Sequence, residues 1–92
     1  MLSAFVLIDA EPARVADLAA ALADVAGVAE VYSVAGDCDI VAIVRVRHHD
    51  DLADVVTRRI AALDGILATR TMVAFKAYSE RDVAALWDLG AD

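Results

Sequence analysis

Cysteine, proline, aromatic residues and positive charge are all scarce in this chain. Cys38 is the only cysteine, so no disulfide can close within the chain. Its expected role is that of a small apolar filler. Proline occurs once, at Pro12, and glycine four times among 92 residues, with no repeat, linker or low-complexity segment. No apolar run approaches the roughly 20 residues that span a bilayer. The first eight residues carry no basic leader and run directly into Asp9 and Glu11, which does not read as a signal peptide. The expectation is a soluble, cytoplasmic protein with no membrane partner. Lys and Arg number 8 against 15 Asp and Glu, for a net charge of −7. The basic residues are scattered, and only Arg58 and Arg59 are adjacent. Nucleic-acid binding requires clustered cations that displace phosphate counterions, so direct binding of DNA by this chain alone is not expected.

What is abundant is Ala, Val and Leu, arranged with clear periods. Residues 2–9 (LSAFVLID) read as a strand rich in β-branched residues. Glu11 and Pro12 suit the first turn of a helix, where a missing N–H costs nothing and acids face the positive end of the dipole. Val15, Leu18, Ala19, Leu22 and Val25 follow at helical spacing, and Gly27 fits the stop. Residues 28–34 and 39–46 read as two strands joined by a turn around Gly36, hence a hairpin. A second helix is expected after His48 and His49, capped by Asp50, with an apolar stripe of Leu52, Val55, Val56, Ile60 and Leu63. Asp64 and Gly65 end it. Residues 66–77 read as a long fourth strand, and 79–89 as a short helix capped by Ser79, with Asp82 completing a weak capping box. The order is βαββαβ, which predicts an α+β, ferredoxin-like domain: a four-stranded antiparallel sheet, two helices on one face and a short C-terminal helix. One domain accounts for residues 1–92.

A sheet covered on one side should alternate apolar with polar residues. Here both registers are apolar. Ala4, Val6 and Ile8 oppose Phe5 and Leu7; Ile40, Ala42, Val44 and Val46 oppose Val41 and Ile43. In the fourth strand Val73 and Phe75 are expected opposite Ile66, Met72 and Ala74. Two helices cover only one set. The other would form an exposed patch that soluble monomers avoid. A domain of this size also buries only about 60–65% of its unfolded surface. Both considerations predict a homodimer packed sheet against sheet.

Two segments carry a family resemblance. Residues 32–41 (YSVAGDCDIV) resemble the V-x-G-D-Y-D hairpin of the leucine-responsive regulatory protein/AsnC family, and residues 64–71 (DGILATRT) resemble its PGV-x-x-T-x-T strand. The spacing between them fits as well. The resemblance covers nearly the whole chain, but only the family's C-terminal effector-binding domain; the expectation is a stand-alone version without the helix-turn-helix. Cys38 stands where the family often has Tyr, and Leu67 where some relatives have a polar ligand contact.

The resemblance implies a small ligand, usually an amino acid, bound near the hairpin turn where dimers meet, and four dimers closing into an octameric ring. It also implies mixed assembly with a full-length relative that supplies the DNA-binding domain. The residues suit that ligand. Backbone N–H groups around Ala35, Gly36 and Asp37 can approach a carboxylate because Gly36 has no side chain. Asp37 or Asp39 can accept from an ammonium, and Thr69 and Thr71 offer hydroxyls from one face of their strand. Each has an ordinary structural reading too: Asp39 as a turn residue, the threonines as strand formers. His48 and His49 point in different directions at a helix entrance and do not make a metal site. Trp87 is expected to pack against a neighbouring element. No catalytic residue and no cofactor is expected. Two other functions share the topology. A cofactor-independent oxygenase or isomerase needs polar residues converging on an internal pocket, and Tyr32, Tyr78, Trp87 and the His pair do not converge. An ACT-like regulator of a metabolic enzyme is the other alternative; topology cannot decide, and the Gly36–Asp39 hairpin and the Thr69/Thr71 strand favour the amino-acid-sensing reading.

Overall fold

The computed structural model describes residues 1–78. Four strands, β1 (Leu2–Ala10), β2 (Val28–Ser33), β3 (Ile40–Val46) and β4 (Ile66–Val73), form one sheet in the order β2-β3-β1-β4. All three pairings are antiparallel. A short 3₁₀ turn (Pro12–Arg14) leads into α1 (Val15–Ala23). The second helix starts as α2 (His49–Asp54) and continues as a wider π-helical stretch over Val55–Ile60. These elements are the βαββαβ order and the ferredoxin-like architecture expected from the sequence. The predicted helix over residues 79–89, with Trp87, lies outside the described residues.

The core lies between the sheet and the helices. Ala4, Val6, Ile8 and Ala10 of β1, with Ile40, Ala42, Val44 and Val46 of β3, are buried against Leu18 and Leu22 of α1 and Leu52, Val55 and Ile60 of the second helix. Among the described residues, no polar one is buried in this layer. Cys38 is buried as well, at the sheet end of the hairpin, as an apolar filler would be.

Three local expectations need correction. Asp50 does not cap the second helix. His48 occupies that position in extended conformation without a side-chain bond, the Leu52 N–H reaches the His48 carbonyl, and Asp50 and Asp51 sit inside the first turn. There they still favour the helix through its dipole. β4 ends at Val73 and not at residue 77. The third correction concerns Ile66. It sits on the helix side of the sheet, packed against the core, because the β1–β4 register shifts between Asp9 and Ala10. One extra residue in a strand reverses the facing of everything beyond it, so Ile66 shares a side with Val73 and not with Met72.

The π-helical stretch has a physical correlate. Thr57 donates its hydroxyl to the Ala53 carbonyl at 2.6 Å, a side-chain bond that competes with the backbone ladder and bends helices. Asp54 on the same turn is held by two cations, Arg58 Nε at 2.7 Å and Arg59 Nε at 2.9 Å. Arg59 also donates to the Ala26 carbonyl at 3.0 Å, tying the helix to the loop before β2.

Candidate functional site

The hairpin turn projects from the end of the sheet that carries Ala10 and Ile66. Val34, Ala35, Gly36 and Asp37 are all exposed. Gly36 has φ +133°, a conformation L-residues rarely adopt, and a Cβ added there would meet no atom within 4 Å. Glycine is therefore required by the backbone and not by crowding. The turn is closed by the Val34 N–H donating to the Asp39 carbonyl at 2.9 Å.

Asp39 has a defined partner within the chain. Its carboxylate accepts from the Ala10 N–H at 2.9 Å, while its own N–H donates to the Ile8 carbonyl at 3.0 Å. The side chain thus extends the β1–β3 ladder by one bond where the strands part. Replacing Asp39 by Ala leaves the part-buried Ala10 N–H unpaired, so a loss of about 1–3 kcal/mol is expected. Urea midpoints at a fixed protein concentration measure it. An unchanged midpoint would mean that water replaces the carboxylate at no cost.

Thr69 and Thr71 stand opposite Ile8 and Val6, so they face the helix side of the sheet. The two helices do not reach that far, and both threonines are exposed on the outermost strand. They share a face, as the alternation implied. Within one chain they do not meet the turn: β1 lies between them, and two strand spacings put Thr69 about 10 Å from the β3 side. The residue that does link β4 to the turn is Arg70, on the opposite face. Its Nη2 donates to the Asp37 carbonyl at 3.3 Å, spanning β1. In the sequence Arg70 has no distinguishing signal, because it lies between the two motif threonines as an ordinary strand cation. His48 and His49 lie at the far end of β3, about 20 Å from the turn at strand rise.

The open face of the sheet carries the second apolar set. Phe5 and Leu7 are flanked by Ile43 and Val41 on one side and by Met72 and Arg70 on the other. The four central residues are half-buried by one another, while Met72 and Tyr32 are 55% and 50% exposed. At the β2 edge Tyr32 donates to the Glu30 carboxylate, which also receives Arg45 Nη1 at 3.2 Å. The Tyr32 hydroxyl, then Arg45, hold the Glu30 carboxyl below its ordinary pKa, and Glu30 raises that of the Tyr32 phenol. An apolar centre with a charged rim is the usual anatomy of a protein interface. Among the described residues no group of His, Cys, Asp and Glu is placed to hold a metal ion, and no helix is long and apolar enough to cross a membrane.

The described residues thus form a ferredoxin-like α+β domain with an exposed Gly-Asp hairpin and an apolar open face. The model of the Lrp/AsnC ligand binding domain matches residues 3–84, and the chain belongs to that family. Its fold is shared with TTHA0845 from Thermus thermophilus, which is 48% identical with a TM-score of 0.81, over 87% of this chain and 100% of that one. A feast or famine regulatory protein from M. tuberculosis, solved in complex with L-methionine, is 35% identical with a TM-score of 0.71, over 88% of this chain and 55% of that one. The HTH-type transcriptional regulator FL11 of Pyrococcus furiosus is 27% identical over 77 residues, 84% of this chain and 50% of its own length. The chain spans about half the length of the curated relatives it matches, which are transcription regulators.

Proposed function

We propose that this chain is an amino-acid-sensing module that acts on transcription through assemblies of its own fold. The observation that carries the reading is the turn around Gly36. It is exposed and open, and its conformation is held by bonds to β1 and β4, so a ligand carboxylate can approach bare backbone N–H groups. Ala35, Gly36 and Asp37 form this approach. Asp37 and the free oxygen of Asp39 take the ammonium, with Thr69 and Thr71 supplied by a neighbouring copy. What supports that last assignment is that within one chain β1 separates the threonines from the turn. The L-methionine complex of a 35% identical regulator supports the ligand class. Dimers form through the open apolar face and close into a ring of four dimers. With a net charge of −7, the chain leaves DNA contact to a partner of the same family that carries a helix-turn-helix.

The test is a thermal-shift screen of the twenty amino acids, followed by site-resolved NMR with the strongest hit. A ligand at a hundredfold excess over its Kd adds about 2.7 kcal/mol to stability. The Ala35 methyl signal should move on titration, and Gly36→Val should abolish that movement while the protein stays folded. A ligand that stabilises the protein but leaves the Ala35 signal unmoved would place the site elsewhere. No response to any amino acid would remove the ligand class.

A further inference from the structure

A groove in the helix layer has the chemistry of a second ligand site. It lies between α1 and the segment after the second helix, has a volume of about 250 Å³, and is lined by Arg14, Asp17, Leu18, Ala21, Ala62, Leu63 and Asp64. None of these residues belongs to the turn or to the threonine pair. Leu18, Ala21 and Leu63 give it an apolar floor. One guanidinium and two carboxylates stand around the rim. Although opposite in charge, Arg14 forms no ion pair with Asp17 or Asp64 among the described residues, whose ion pairs involve only Arg45, Arg58 and Arg59. Three charges thus stand around one small groove with no direct ion pair among them, and a bound molecule of both charges can bridge them.

The walls are fixed in advance. The Glu11 N–H donates to the Gly65 carbonyl at 2.9 Å, joining the start of the first helical segment to the end of the second. Gly65 has φ +95°, and a Cβ there would come within 3.0 Å of Arg14 Cβ and 3.8 Å of its Nε. The bare glycine thus lets the Arg14 stem lie along the turn, beside Asp64. Pre-organised walls reduce the ordering cost of binding.

We infer that this groove binds a zwitterionic α-amino acid with an apolar side chain. Arg14 pairs with the carboxylate, which its planar fork can grip through two parallel bonds. Asp17 and Asp64 receive the ammonium, and Leu18, Ala21 and Leu63 receive the side chain. The volume is below the roughly 300–1,000 Å³ of drug-sized pockets, which suits a ligand of amino-acid size. The site is formed by a single chain, so it fills without assembly of dimers into rings.

The experiment is alanine-methyl NMR of the intact chain titrated with L-methionine. Ala21 and Ala62 report on the groove and Ala35 on the turn. The Ala21 and Ala62 signals should move saturably and keep moving in Gly36→Val. In Arg14→Met the groove affinity should fall roughly tenfold to hundredfold, as expected when a charged hydrogen bond is lost, with the Ala35 response unchanged. Arg14→Lys should restore part of it. Ala62→Leu, a change at an exposed position that fills the groove, should abolish the Ala21 response without unfolding the chain. Ala21 and Ala62 signals that stay still, or that respond equally in wild type and Arg14→Met, would overturn the site. Movement at Ala35 alone would overturn the groove and leave the turn standing; movement in the groove alone would do the reverse.

Discussion

Replacing Gly27 with alanine should destabilise the domain by about 2–5 kcal/mol, a large share of the roughly 5–15 kcal/mol that holds a typical domain together. Two separate penalties add. Gly27 has φ +97°, where an L-residue is strained by about 1–2 kcal/mol. The new methyl would also stand 2.7 Å from Val55 Cγ2 and 3.3 Å from Val46 Cγ1. Neither neighbour can retreat easily, since Val55 is buried under the sheet and Val46 is at the edge of the same core. Overpacking of this kind costs about 1–3 kcal/mol. Nor can the loop move as a unit: the Gly27 carbonyl accepts from Arg45 N–H, and the Ala26 carbonyl from Arg59. Combining Gly27→Ala with Val55→Ala should relieve the clash with Val55 while leaving the backbone strain, so the double variant should be less unstable than the sum of the single costs. Denaturant midpoints of the four proteins at one concentration give the cycle. A Gly27→Ala protein within about 0.5 kcal/mol of wild type, the range of ordinary surface changes, would show that the loop adapts freely.

Gly27 also marks how far the sequence can be read. As the residue after a helical stripe it reads as a stop, and its positive φ agrees. Its close approach to Val55 is not legible, because that depends on how the second helix lies across the sheet. The same division runs through the fold. The strands, the helices and their order follow from period and turn residues, because alternation and the helical stripe are local. The face of Ile66 does not, because a single bulge beside Ala10 reverses it and bulges leave no fixed signature. The position of Thr69 and Thr71 is legible as a shared face, but not as the uncovered edge, which reflects how far two short helices extend across four strands. The Asp39 carboxylate reads as a ligand group or a turn residue. Its bond to Ala10 depends on a long-range register that no local spacing contains. Arg70 is invisible for the same reason: only the order β3-β1-β4 brings it across to Asp37.

The open face leads to the last expectation. Ile43→Asp should convert the protein into a folded monomer. Ile43 pairs with Phe5 and, across β2, with Glu30, so it lies within the apolar set and beside its charged rim. In a single chain it is only half-buried, and an aspartate there can turn to water. In a sheet-on-sheet dimer the same side chain is trapped between two apolar layers. An unpaired buried charge costs about 3–5 kcal/mol, incurred once in each copy, so the dimer should weaken at least about a hundredfold. Ala20→Asp, on the exposed side of α1, adds the same charge without touching the face and should leave the dimer intact. Light scattering at micromolar concentration reads the mass, and circular dichroism confirms that Ile43→Asp remains folded. A wild-type protein that is monomeric under these conditions would remove the premise. A dimer that persists in Ile43→Asp would place the contact at an edge strand of the described sheet, β2 or β4, and not on the face that Phe5, Leu7, Val41 and Ile43 share.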